Sequence, residues 1–363
     1  MCVPEKTGQH QASAFVQALD ASRPASANSW ILPVGHFFHS AVQPFCARTN
    51  DRLIPIGTAF TLSSLGIVAS AYHNVHEALQ HHPNGDRLRS QAQLPDGLHL
   101  GALRLALIYQ HVPRPDVQSV LIQSVETLIS GPPADILFGV PTPPNGAPFI
   151  AMPLSFSMPR VGSRVSVLGY GALQTGSHGL SVERIHGGDP SELLAAGLVL
   201  HVYEGRVTHI FTQRFVSTFI GGPCLVIDCE IPHGMSGGPV LNDQGFAIGV
   251  ASAGASQFFA RPASIVSLLC PALLSVIDYA VQDGPVRVNR KEPLVELVCR
   301  GLVQTDGSEQ RVPIGLSAEG PMVHFSIEPA DQPFTHDDFH GYQEGRAAEH
   351  PTDRIAFVRR NSP

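Results

Sequence analysis

The stretch Gly234-Met235-Ser236-Gly237-Gly238-Pro239 limits what this chain can fold into more than any other. Behind it stand Val240-Leu241, the turn residues Asn242-Asp243-Gln244-Gly245 and an apolar run from Phe246 to Ala251, a pattern of strand, turn, strand. A hairpin that begins at Pro239 argues against a helix opening at Ser236. Small residues on both sides of Ser236 let the backbone turn tightly, so the amides of Gly234 and Ser236 can point at one spot. A serine hydroxyl is a weak nucleophile at neutral pH. It becomes useful when a base takes its proton and fixed donors hold the oxyanion that forms.

Composition bounds the rest. With 363 residues, 43% of them hydrophobic, the chain can bury a large core, and 34 Gly and 31 Pro among many short apolar runs favour an all-β body. A formal charge of -7 gives no basic footprint, which excludes nucleic acid as a partner. No apolar run approaches the roughly 18 residues of a membrane helix, and the opening Met1-Cys2-Val3-Pro4-Glu5-Lys6 lacks the layout of a secretion signal. The expectation is a cytoplasmic protein with no membrane partner. Cys2, Cys46, Cys224, Cys229, Cys270 and Cys299 are scattered and read as free thiols, and no cofactor or metal is called for.

The serine stretch resembles the nucleophile motif Gly-x-Ser-Gly-Gly-Pro of trypsin-like serine peptidases, the chymotrypsin fold, and especially their bacterial branch without structural disulfides. Gly234-x-Ser236-x-Gly238 also meets the looser elbow pattern of α/β-hydrolases, but there the serine opens a helix and the histidine follows it in the chain. A second piece, Gly57-Thr58-Ala59-Phe60-Thr61-Leu62, the turn Ser63-Ser64-Leu65-Gly66 and Ile67-Val68-Ala69-Ser70-Ala71-Tyr72-His73, is similar to the family's segment leading into its catalytic histidine. The resemblance makes His73 the general base. Asp96, Asp116 and Asp135 compete to hold the imidazole; the family's form, aspartate before an apolar strand, is met by Asp135-Ile136-Leu137-Phe138, only in part by Asp116, and Asp96 sits in a glycine turn. The order His, Asp, Ser is that of the chymotrypsin fold.

The resemblance implies an all-β architecture of two six-stranded antiparallel β-barrels, about residues 30–140 and 155–270, inside a protease domain of residues 30–283. The Pro- and Gly-rich piece from Pro141 to Pro153 reads as the crossover. Residues 1–29 are expected to form a loosely docked arm with one helix from Ala12 to Leu19. A helix from Ala272 to Ala280 should close the fold. Residues 284–363 read as a small β extension, a three-stranded meander of Leu294 to Val303, Arg311 to Ser317 and Met322 to Glu328, with a polar tail from Ala330.

Two departures from the family matter. Met235 stands where zymogen-activated relatives carry aspartate, and no Ile-Val-Gly-Gly-like activation site lies near Trp30, so something other than that ion pair, such as packing, is expected to order the oxyanion loop. The substrate-binding candidates are Glu230 and Ile231 before the serine and Ser252, Ala253 and Gly254 after it. The resemblance gives Ser252 a bond to the catalytic aspartate and Gly254 a pairing with substrate backbone. Glu230 lies either at a pocket floor, favouring a basic side chain, or in solvent, with Ile231 lining a small apolar pocket. Asp228 reads as structural. His76, His81, His82, His336 and His340 read as ordinary or solvated residues.

The function implied is a serine endopeptidase acting on proteins or peptides through His73, Asp135 and Ser236, an acyl-enzyme, and an oxyanion hole of the Gly234 and Ser236 amides. A regulatory partner would bind the N-terminal arm or the C-terminal extension. The alternatives are a catalytically silent protease-fold scaffold and an esterase-like hydrolase that would need a histidine such as His350.

Overall fold

The structure, a computed structural model, describes residues 7–48, 51–80, 104–114, 117–130, 135–141, 149–171, 180–186, 191–195, 197–211, 223–255, 261–283, 286–317 and 320–323. Asp96, Asp116, His81, His82, His336, His340, His350 and most of the Pro141 to Pro153 crossover lie outside the described residues. Helix α1 (Thr7–Ser22), strand β1 (Ser29–Ile31) and the single turn α2 (Phe38–Ala41) lead the chain. Strands β2 (Val42–Arg48), β3 (Arg52–Thr61) and β4 (Val68–Ser70) follow, then helix α3 (Tyr72–Gln80) and strands β5 (Arg104–Arg114), β6 (Val117–Ser130) and β7 (Leu137–Pro141). Because β2 pairs with both β3 and β5, the ring β2-β5-β6-β7-β4-β3 closes on itself. Closure leaves no strand edge unpaired around the ring.

A second ring repeats the plan. Strands β8 (Arg164–Tyr170), β9 (Leu180–Ser181), β10 (Leu200–Phe211), β11 (Cys224–Ile227), β12 (Pro239–Asn242), β13 (Ala247–Gly254) and β14 (Ser264–Leu268) come next in the chain. Here β8 pairs with both β10 and β12 and closes the ring β8-β10-β11-β14-β13-β12, while β1 adds to β10 and β9 to β3. The two six-stranded antiparallel barrels read from the sequence are therefore present. Phe60, Ala69, Ile108 and Phe138 fill the first and Val165, Val167, Leu225 and Val250 the second, all fully buried. β10 is one continuous strand through Gly205.

The hairpin after Ser236 forms as expected. Asn242 Oδ1 accepts from the amides of Gln244 (3.1 Å) and Phe246 (3.0 Å), which fixes the turn between β12 and β13.

Three outer elements differ from the sequence reading. The N-terminal helix is longer than Ala12 to Leu19 and is not loosely docked. Ala12, Phe15 and Leu19, spaced on one helical face, are buried, and Phe15 stacks on Phe37 and Phe38 at ring distances of 5.3 and 4.9 Å. The helix expected from Ala272 to Ala280 is instead a 3-10 turn, Cys270–Leu274, followed by strand β15 (Val276–Asp283). Val276 is exposed while Ile277 and Tyr279 are buried, and this period-two pattern pairs β15 with β16 (Val286–Pro293). A short C-terminal helix does exist, at Leu294–Cys299, where a strand of the meander was expected. Leu294, Leu297 and Val298 are its buried residues, a helical spacing. Among the described residues, β16 pairs back on β15 and β17 (Ile314–Ser317) pairs with β18 (Gly320–Val323), while residues 324–363, with most of the third expected strand and the polar tail, lie outside the described residues.

The segment between the barrels is held on three sides. Met152 N–H donates to the Thr61 carbonyl (2.8 Å), Leu154 N–H to the Gln304 carbonyl (2.9 Å) and Ser155 N–H to the Ala247 carbonyl (2.9 Å). The barrels consequently meet at a fixed seam rather than across a free linker.

Candidate active site

Register brings the imidazole and the carboxylate together. β4 pairs with β7 with Ser70 opposite Leu137, so His73 at the start of α3 and Asp135 just ahead of β7 leave the same end of one ladder. Asp135 is buried, 1% exposed, and both its oxygens are used. Oδ1 accepts the backbone N–H of His73 (2.9 Å) and Oδ2 accepts Nδ1–H of the same residue (2.7 Å). A carboxylate here caps the first turn of α3 and also fixes the tautomer, because the ionised group can only accept; the proton sits on Nδ1 and Nε2 is left as the basic nitrogen. The side chain of His73 is 15% exposed, while that of Asp135 is fully buried.

The serine loop is built from the second barrel. Gly237 N–H donates to the Ala251 carbonyl (2.7 Å) and Gly238 N–H to the Met235 carbonyl (2.9 Å). Gly234 and Gly237 have φ of +96° and +92°, in the left-handed region where a side chain is strained. A Cβ on Gly237 would also stand 1.9 Å from the Thr58 carbonyl oxygen, so the tight turn requires glycine twice over.

Thr58 of β3 ties this loop to the first barrel. Its N–H donates to the Ser236 carbonyl (2.8 Å) and its hydroxyl to the Gly234 carbonyl (2.9 Å), while the hydroxyl accepts from Tyr170 N–H (2.9 Å) on β8. With both carbonyls held from behind, the amides of Gly234 and Ser236 have no hydrogen-bond partner among the described residues. Two unpaired donors beside a half-buried hydroxyl are what an oxyanion requires.

The Ser236 hydroxyl donates to the Ser252 carbonyl (2.9 Å). That carbonyl is available because the β13–β14 ladder shifts register between Ala251 and Ala253, skipping Ser252. The Ser252 side chain does not meet the expectation of a bond to Asp135. Its hydroxyl is fully buried and pairs with the Ser267 hydroxyl at 2.8 Å on the neighbouring strand, so the bulge turns it into barrel two.

Met235, in the place of an ion-paired aspartate, is fully buried. The other candidates divide. Ile231 is 6% exposed and its N–H donates to the Ser264 hydroxyl (3.0 Å); Ala253 is half-buried and Gly254 exposed, with open space where a Cβ would stand. Glu230 is exposed and lines a depression of about 430 Å³ together with Arg164, Arg206 and Asp228. Asp228 is structural, its Oδ1 accepting from Arg206 N–H (2.6 Å). Burial pushes the thiols of Cys224 and Cys270 up to about 12, which leaves them inert at neutral pH. Among the described residues, no three His, Cys, Asp or Glu side chains gather as a metal site.

Sequence reading missed Thr58, Ser70 and Asn74. Thr58 and Ser70 lie inside the stretch that leads to His73 and Asn74 directly follows it, but only the three-dimensional seam shows that their polar atoms face the serine loop.

The model of the trypsin-like peptidase domain matches residues 57–250, just over half of the chain. Among solved structures, the protease domain of MamO from Magnetospirillum magneticum is similar at 14% identity, over 64% of this chain and 94% of that one, with a TM-score of 0.40. A thermostable serine protease from an extremophilic microorganism is similar at 17% identity, over 64% and 92%, with a TM-score of 0.39. No curated protein matches the sequence.

Proposed function

Because the chain belongs to the trypsin-like peptidase domain family, whose substrates are proteins or peptides, we propose that it is a serine endopeptidase using His73, Asp135 and Ser236. The observation that carries this reading is the buried Asp135 holding His73 by two hydrogen bonds at the seam where the Ser236 loop is anchored. In the resting site the Ser236 hydroxyl points to the Ser252 carbonyl. Rotation about χ1, a picosecond to nanosecond event for an unconfined side chain, turns it toward His73 when substrate enters. Nε2 takes the hydroxyl proton as Oγ bonds to the scissile carbonyl carbon, and the new oxyanion is received by the Gly234 and Ser236 amides. Asp135 stabilises the imidazolium. Collapse of the intermediate breaks the C–N bond, and Nε2–H protonates the departing amine. Water repeats the sequence on the acyl-enzyme.

The substrate lies along the end of β13, where Ala253 and Gly254 offer backbone groups and Ile231 supplies apolar wall. Glu230, exposed in a depression shared with Arg164 and Arg206, forms no buried pocket floor. The docked face of α1 makes the N-terminal helix part of the body, and a regulatory partner would act through the extension that braces Leu154.

The Ser236–Ser252 bond also favours a second reading. If it persists with substrate present, the chain is a silent protease-fold scaffold. Incubation with an unstructured protein such as casein separates the two: cleavage that disappears in Ser236→Ala supports the enzyme, and an uncut sample supports the scaffold.

A further inference from the structure

One side chain joins the helix of the base to the loop of the nucleophile. Asn74, next to His73 on α3 and 2% exposed, directs Nδ2 at the Ser236 carbonyl (2.9 Å) and at the Ser70 hydroxyl (3.3 Å). The orientation of the amide follows from its partners. The Ser236 carbonyl can only accept, and Ser70 spends its own proton on the Thr58 carbonyl (2.7 Å), so it too can only accept from Asn74. The Asn74 amide nitrogen therefore faces both. The seat is shaped for it: a Cβ on Gly57 would fall 2.2 Å from Asn74 Nδ2 and 2.8 Å from the Ser236 carbonyl oxygen. With Thr58 N–H as the second donor, the Ser236 carbonyl is gripped from one side by the strand and from the other by the helix.

We propose that Asn74 is a positioning residue for catalysis: it locks the Ser236 backbone to the helix that carries His73, so that nucleophile and base move as one body although they come from different barrels. The proposal rests on the serine peptidase reading. A backbone carbonyl released from one of two donors lets Ser236 drift, and a displacement of about 1 Å at reacting atoms costs about 100-fold in rate. Asn74 touches neither substrate nor Nε2, so its loss should lower the rate of acylation without changing what the site binds or where His73 titrates.

The test uses the full chain with Asn74→Ala, the similarly branched Asn74→Leu, and Gly57→Ala, which displaces the same amide from the other side. Two readouts are taken: hydrogen exchange of the amides from 232 to 238, and the rate of fluorophosphonate labelling with kcat and KM on a peptide substrate. Expected are exchange about 10-fold faster in the loop, kcat and labelling down about 10- to 100-fold, KM within about threefold, and an unshifted pH profile. Asn74→Leu keeps the branched shape without the donor and serves where the alanine variant does not fold. A labelled wild type whose folded Asn74 variants exchange and label at wild-type rates overturns the proposal. A wild type that takes no label, with the loop still loosened by Asn74→Ala, upholds the clip and contradicts the peptidase reading instead.

Discussion

Met235 packs flat on Gly169: a Cβ on that glycine would stand 3.0 Å from both Cα and Cβ of Met235. The methionine is fully buried, with Gly171 and Pro232 bordering the same space. Apolar packing thus holds the loop that carries Ser236. Met235→Leu, close in volume, should cost less than about 1.5 kcal/mol and keep activity. Met235→Asp buries a carboxylate with no cation to meet it, and should cost about 3 kcal/mol or more and abolish turnover. Thermal melts paired with active-site titration check both; an active Met235→Asp would show that packing does not order the loop.

Thr58 holds three groups at once, the carbonyls of Gly234 and Ser236 and the amide of Tyr170. Thr58→Val keeps the shape but strips the hydroxyl, leaving the Gly234 carbonyl and the Tyr170 amide unpaired. The expected loss is about 1–3 kcal/mol per stranded group, with acylation falling in step. Thr58→Ser should restore most of it. Urea denaturation and labelling rates measured side by side decide, and a valine variant of wild-type stability would remove Thr58 from the account.

His39 makes stability depend on pH. It is buried against Tyr170, whose hydroxyl lies 2.8 Å from Nδ1, and Nε2 donates to the Pro33 carbonyl (3.1 Å). Burial first, then the neighbouring His36, lowers its pKa from 6.5 to about 4, with the Pro33 carbonyl acting the other way. Below about pH 6.5 the unfolded chain binds a proton that the native protein refuses until about pH 4. Stability therefore falls as pH drops through that window, by about 3 kcal/mol in full. Urea midpoints at pH 7 and pH 4.5 should show a smaller drop in His39→Gln than in the wild type; equal drops would contradict the assignment.

The N-terminal helix contributes core rather than a detachable cover. Phe15→Ala removes a ring that is 1% exposed and stacked on two others, and should destabilise the whole protein by about 3–5 kcal/mol. A single unfolding transition at lower temperature is the expected calorimetric trace. A separate early transition with the main one unmoved would mean that the helix docks independently.

The reach of the sequence can be judged residue by residue. Gly234 to Pro239 and the hairpin behind it were legible because tight turns and glycines at positive φ leave a local signature. His73 and Asp135 were legible because the same ladder end that joins them also places each beside a recognisable apolar strand. The 3-10 turn and strand from Cys270 to Asp283 were not, since alternation over Val276 to Val281 is short and small residues before it suit a helix equally well. Ser252 was misread for a different reason: a one-residue bulge reverses the face a side chain takes, and nothing in Ala251-Ser252-Ala253 marks it. Asn74 and Thr58 acquire their roles only across the seam, through contacts with residues more than a hundred positions away.

The central claim is that Ser236 becomes a nucleophile because His73 takes its proton. Fluorophosphonate labelling of the intact protein, with the adduct located by peptide mass spectrometry, tests it most directly. The account predicts one adduct, on Ser236, formed at least about 1000-fold more slowly in His73→Ala and absent in Ser236→Ala. An adduct on another residue, or undiminished labelling without His73, would contradict it.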